Sequence, residues 1–205
     1  MEVKHNELDE PNTVTPADWV PGPRQGDWTY EAYAALTDDG KCYEIVQGVL
    51  VMSPAPSLPH QDVVDEIFAY LREQIKLKRL GRVFTAPVDV VLSEQNVCQP
   101  DVVVVLRGHL TRAEEKRIVG IPDLAVEVIS PGSKLYDRVN KHMIYEQAGV
   151  PEYWLVNVDN QTVELFVLEG SKYRSLGEFA GERALPSRIV PQLTVPVARF
   201  FDFIV

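Results

Sequence analysis

Gln99-Pro100-Asp101-Val102-Val103-Val104-Val105-Leu106, then Asp123-Leu124-Ala125-Val126-Glu127-Val128-Ile129-Ser130, then Asp137-Arg138-Val139-Asn140-Lys141: the stretch from 99 to 141 decides how the chain is read. Two runs this short and this rich in valine read as buried strands. Each carries one acid that breaks its pattern, Asp101 at the entrance of the first run and Glu127 near the end of the second. An ionised carboxylate beside a buried strand is costly unless it is paired, hydrogen-bonded or bound to a cation. Taken singly, Asp101 reads as the cap of a turn after Pro100, and Glu127 as a buried acid paired to Lys141 or Arg138. Taken together, two acids on neighbouring strands with a lysine on the next helix are the parts of a Mg2+ site for phosphodiester chemistry.

Working outward from this stretch, the pattern predicts a helix from about Leu135 to Ala148, broken by Gly149, and a strand over Tyr153–Val158. Strand, helix and strand in this order form a βαβ unit with a right-handed crossover. Active groups of open α/β sheets gather at strand ends. Upstream, Thr29 caps a short helix to Leu36. Tyr43–Val46 and Val49–Ser53 form a hairpin around Gln47-Gly48. Val63, Val64, Ile67, Leu71 and Ile75 recur at helical spacing, which predicts a long helix from about Pro59 to Lys78. Strands follow at Arg82–Ala86 and Val88–Leu92, a turn at Ser93–Cys98, and a charged, partly helical connection over Arg107–Gly120. Downstream, Val163–Leu168 and Tyr173–Leu176 pair around Glu169-Gly170-Ser171, Ile189–Val195 is extended, and Val197–Ile204 is a terminal helix capping the core with Phe200 and Phe203. The expected class is α/β (α+β), a mixed central sheet flanked by helices.

Six motifs carry a family resemblance: Tyr43-Glu44-Ile45-Val46-Gln47-Gly48, Ser57-Leu58-Pro59-His60, Gln99-Pro100-Asp101, Val126-Glu127-Val128-Ile129-Ser130-Pro131, Asp137-Arg138 with Lys141, and Gly149-Val150-Pro151-Glu152-Tyr153-Trp154. In this order, over roughly Thr29 to Tyr173, they resemble the Uma2 family, whose members look like PD-(D/E)XK nucleases. The resemblance implies a restriction-endonuclease-like core with Asp101 and Glu127 as ligands of Mg2+ or Mn2+ and the carbonyl of Val128 as a third. It also implies that Glu44 joins the acidic cluster. One departure stands out: the superfamily's lysine sits two residues after the glutamate, where this chain has Ile129, and Lys141 looks like its substitute. Lys141 reads equally as a helix ion pair with Asp137, four residues before it. Glu44 reads equally as a surface strand acid. His60, at a helix N-terminus that favours neutral imidazole, could contact phosphate, act as a base or ligate metal, or serve only as a hydrogen-bonding group. His109 and His142 suggest no partners. Glu152-Tyr153-Trp154 reads as aromatic packing, with base stacking as the alternative.

The chain's 205 residues fit one domain, 27–205, behind an acidic, proline-rich arm at 1–26, and 45% hydrophobic residues suffice for a packed core. Cys42 and Cys98 form no CxxC pair and read as buried thiols of a reducing cytoplasm. No signal peptide and no membrane span is expected. The net charge of −10 argues against nucleic acid until it is divided, since residues 1–40 hold nine acids and two bases, a net of −7. The remainder is nearly balanced, and Arg72, Lys76, Lys78, Arg79 and Arg82 form a basic cluster that reads as a solvated helix end or a phosphate contact. The expectation is a Mg2+-dependent endonuclease-like phosphodiesterase acting on DNA, with the nuclease cluster intact, and a homodimer because duplex cutting takes two sites. The alternatives are a degenerate nuclease-fold binding or regulatory module and a hydrolase of another phosphorylated substrate.

Overall fold

The structure, a computed structural model, describes residues 14–129, 137–190 and 195–202. The fold is the expected mixture of helices and mixed sheet, but the sheet is divided into two of six strands each. The first comprises β1 (Thr15–Pro16), β2 (Cys42–Val46), β3 (Val49–Ser53), β5 (Asp89–Ser93), β6 (Asn96–Cys98) and β8 (Arg117–Val119), in the order β1-β3-β2-β6-β5-β8. The second comprises β4 (Gly81–Thr85), β7 (Val102–Leu106), β9 (Leu124–Ile129), β10 (Glu152–Asn157), β11 (Thr162–Glu169) and β12 (Lys172–Ala180), in the order β12-β11-β10-β9-β7-β4. β9 and β10 are parallel, as a βαβ unit requires. The connection between them ends in a π-helical turn, Asp137–Lys141, that runs into α3 (His142–Ala148). The predicted start of this helix at Leu135 lies outside the described residues, as do the Ser130-Pro131-Gly132-Ser133 stop, Phe203 and the middle of the Ile189–Val195 segment.

The short first helix, α1 (Tyr30–Ala34), is capped by Thr29 as expected. Alternation along β7 and β9 explains their unbroken valine runs. Val102 and Val104 of β7, with Leu124, Val126 and Val128 of β9, pack under α2 (Leu58–Leu71), which presents Val63, Val64, Ile67 and Leu71. Val103 and Val105 point the other way, to Val90 and Ile118 of the first sheet. Both faces are covered, so neither strand has a polar side. On β9, Ala125 and Ile129 face Ile144 and Tyr145 of α3, and Glu127 shares their parity. The fold therefore directs this one acid toward the crossover helix.

Several short elements differ from the sequence expectation. Ser93–Cys98 contains β6 rather than only a turn, and the charged connection contains β8 and a 3-10 turn, Arg107–Arg112. Elements of three residues are too short to show a period. α2 ends at Leu71 and continues as a π-helical turn, Arg72–Leu77. The C-terminal element is a 3-10 turn, Val197–Phe201, that buries Phe200 and Phe201. Residues 14–26 are not a loose arm: Thr15 and Pro16 pair with Met52 and Val51, Ala17 is buried, and Gly26 N donates to Gly48 O at 2.8 Å. Gly48 has φ +75°, and a Cβ there would meet the Gly26 carbonyl oxygen at 2.2 Å, so only glycine fits this close approach. Buried Glu152 accepts from Trp154 Nε1, Ser187 Oγ and the backbone N–H of Arg188, which ties the C-terminal segment to β10. Among the described residues, no helix is long and apolar enough to cross a membrane.

Candidate active site

The ends of β2, β7 and β9, the start of α2 and the π-helical turn before α3 meet around one cavity of about 150 Å³. Glu44, His60, Asp101, Glu127, Val128 and Lys141 all line it. The six residues singled out from sequence are therefore brought together, from positions up to 97 residues apart.

Asp101 stands immediately before β7. Its Oδ2 accepts from the Val128 N–H at 2.7 Å and lies 3.3 Å from His60 Nε2. The first contact locks β7 to β9 at the level of the site. The second is set by the N-terminus of α2, where Ser57 Oγ accepts from His60 N at 3.4 Å and Pro59 occupies the first turn. His60 is thus buried against Asp101 rather than projecting freely from a helix end.

Glu127 Oε1 accepts from Tyr145 Oη at 2.5 Å and from Lys141 Nζ at 3.2 Å. Lys141 also donates a very short hydrogen bond to Glu44 Oε1, and that same oxygen accepts from the Gln99 N–H at 2.5 Å. The Lys141 side chain is 2% exposed, between Glu44 at 5% and Glu127 at 7%. These are buried ions that hold one another in place, which answers the cost of desolvating them only while all three remain. Of the two readings of Lys141, the pair with Glu127 is present, and a pair with Asp137 concerns a side chain outside the described set. Glu44 is a buried cluster acid, not a surface one.

A second layer holds this arrangement. Gln99 Nε2 donates to Asp89 Oδ1 at 2.9 Å and to Tyr33 Oη at 3.2 Å, while Tyr33 Oη itself donates to Asp89 at 2.9 Å. These bonds fix the Gln99-Pro100 turn that carries Asp101. Burial, reinforced by Asp89, raises the Tyr33 phenol pKa, so the group stays a donor. Tyr145 is fully buried, and burial with the charge of Glu127 lifts its pKa well above the ordinary value. Cys98, beneath it, is pushed up to about 12, mainly by burial and against the pull of Lys141. Sequence reasoning missed Tyr145 and the Tyr33–Asp89 pair. The signal for Tyr145 was its place four residues after Lys141, on the same helix face.

Five other readings are corrected. Cys42 is exposed and lines the cavity, whereas Cys98 is buried. His109 does have a partner, since its Nδ1 lies 2.8 Å from Asp123 Oδ1, far along β7 from the cavity. His142 packs edge-on to Phe166 and Tyr173, with ring centroids 4.8 and 5.2 Å away. Tyr153 and Trp154 are fully buried, so base stacking by them is ruled out. The basic cluster begins where α2 ends, and at about 1.5 Å per residue Lys76 lies roughly 24 Å along the axis from His60. It does not reach a phosphate held in the cavity.

The charge of the cavity is unbalanced: three carboxylates face one ammonium. Among the described residues, no three His, Cys, Asp or Glu side chains are gathered closely enough to hold an ion as they stand. Lys141, wedged between Glu44 and Glu127, accounts for the spacing of those two acids.

Residues 30–198 match the family described as "Uma2: Putative restriction endonuclease". The fold superposes with TM-score 0.74 on a crystal structure described as a putative nuclease belonging to DUF820 from Anabaena variabilis ATCC 29413, over 86% of this chain and 99% of that one, at 18% identity. At that identity the likeness speaks for the fold alone. No curated protein matches the sequence.

Proposed function

The chain belongs to the Uma2 family, and from that premise we propose that it is a metal-dependent nuclease that hydrolyses phosphodiester bonds of DNA. The observation that carries the reading is the convergence of Asp101, Glu127, Glu44, His60 and Lys141 on one cavity at strand ends. Mg2+ takes oxygen ligands and keeps several waters, so Asp101, Glu127 and the Val128 carbonyl suffice to hold it, with Glu44 completing the acidic cluster. Mn2+ suits the same oxygen donors. The donor set fits a divalent cation in charge as well, because three carboxylates and one ammonium leave two negative charges to neutralise. When bound, such an ion polarises a phosphoryl oxygen and acidifies a water.

The chain's own groups have separate tasks in this scheme. The Lys141 ammonium moves onto a phosphate oxygen as negative charge builds there. His60, held by Asp101 through Nε2, lines the cavity at the start of α2, where it would contact the phosphate or the attacking water. Tyr33, Asp89 and Gln99 keep the Asp101 turn in register. We extend the proposal to a homodimer, since cutting both strands takes two sites, and to a cytoplasmic setting. The second reading is a nuclease-fold binding module. It is favoured by Ile129 at the customary lysine position and by the ion pairs that Lys141 makes with both Glu44 and Glu127. Incubation of plasmid and oligonucleotide DNA with Mg2+ or Mn2+, comparing wild type with Asp101→Asn, separates the two. Metal-dependent cleavage lost in the variant supports the nuclease, and DNA retained without cleavage supports the module.

A further inference from the structure

Tyr145 has no part in the scheme above, yet it makes one of the shortest contacts to the acidic cluster. Its hydroxyl donates to Glu127 Oε1 at 2.5 Å, and Lys141, one turn earlier on the same face, reaches that same oxygen at 3.2 Å. The ring is completely buried among Ala125, Ile129, Ile144 and Tyr153, so its rotamer is fixed by packing. Below the hydroxyl sits Cys98, whose thiol stays protonated.

We propose that Tyr145 is a positioning residue of the cation site: its hydroxyl holds Glu127 Oε1 toward α3 and so fixes the plane of the carboxylate that a divalent cation meets. This rests on the metal-dependent reading of the site. Two donors spaced one helical turn apart both end on Oε1, and a carboxylate held by two donors cannot rotate about its last bond. Glu127 therefore presents a single orientation to the cavity. Outer partners of this kind, which orient a ligand without touching the ion, commonly change metal affinity by about 10- to 100-fold when removed. The contact to Oε1, which no spacing in the sequence announces, gives Tyr145 this task.

Tyr145→Phe removes the hydroxyl and keeps the ring. Mn2+ is titrated calorimetrically into wild type, Tyr145→Phe and Cys98→Ala, and the unfolding midpoint of each is measured with and without Mn2+. The expected result is a Kd weakened about 10-fold or more in Tyr145→Phe, with Cys98→Ala unchanged. The Mn2+-induced rise of the midpoint should shrink in the same variant. A merely structural tyrosine would lower the metal-free midpoint and leave the Kd where it was, and that outcome overturns the proposal. If Tyr145→Phe is unfolded without metal, its midpoint in Mn2+ decides: a metal-induced rise as large as that of wild type overturns the proposal. No Mn2+ binding by wild type overturns the metal-dependent reading itself, and the proposal with it. Equal binding by wild type and Tyr145→Phe overturns only the role of Tyr145.

Discussion

Lys141→Met removes the one ammonium that two buried carboxylates share while keeping a stem of similar length. The side chains of Lys141, Glu44 and Glu127 are 2%, 5% and 7% exposed, so water screens the pair poorly. Breaking a buried ion pair by deleting one partner costs roughly 3–5 kcal/mol, because the surviving charge stays buried without its counter-ion. For a chain of about this size each kcal/mol moves the melting midpoint by about 2–4 °C. The expected fall in metal-free buffer is therefore roughly 6–20 °C by the same two rules. A divalent cation reverses part of it. A ligand at about 100 times its Kd stabilises by about 2.7 kcal/mol, and the variant offers it two acids with no competing ammonium. The Mg2+-induced rise in midpoint should accordingly be larger in Lys141→Met than in wild type, although cleavage by the variant is lost for want of the charge needed in the transition state. Thermal unfolding followed by circular dichroism, with and without Mg2+, reads both effects. A variant that melts with wild type in metal-free buffer would refute the buried-pair argument. A Mg2+ response no larger than that of wild type would refute the claim that Lys141 and the cation share the same acids.

Two further predictions concern the mouth of the cavity. A maleimide should label one thiol of the native protein and two after unfolding, because Cys42 is exposed while Cys98 is buried with its pKa pushed up to about 12. Labelling at Cys42 should be slow, since partial desolvation of its thiol and the nearby charge of Glu44 raise its pKa, and it should block cleavage. Mass spectrometry and a DNA assay check both, and full activity after labelling would show that the cavity is not the route of the substrate. Deleting residues 1–13, which hold four acids and one lysine immediately before the cavity residue Val14, should tighten DNA binding most at low salt. Equal affinity of the two forms across a salt series would leave those charges without effect on the site.

How much of this was legible before folding depends on the residue. Asp101 and Glu127 were visible because an acid in a valine run breaks a pattern that the covered faces of β7 and β9 otherwise enforce. Lys141 and Glu44 needed the family resemblance, since helix spacing offered Asp137 as an equally good partner and strand position offered solvent. Tyr145 was within reach of simple helical phase, but an aromatic on that face reads first as packing, which it also is. The two-sheet division was not legible. It rests on β1, β6 and β8, which are two or three residues long and are held by pairing across the chain rather than by any local preference. The same limit hid the packing of residues 14–26. A proline-rich, acidic stretch looks unstructured in isolation, whereas Thr15 and Pro16 find a strand edge at Met52 and Val51. The Tyr33–Gln99–Asp89 contacts join three separate elements and leave no spacing to read.

The central claim is that Asp101 and Glu127 share one divalent cation. Calorimetric titration of Mn2+ into wild type, Asp101→Asn and Glu127→Gln tests it most directly, with circular dichroism to establish that all three are folded. Each substitution keeps the shape of the side chain and removes its charge. The account predicts saturable binding of one ion per chain to wild type and loss of that binding in both folded variants. Wild type that takes up no Mn2+, or folded variants that bind it as wild type does, would contradict the account.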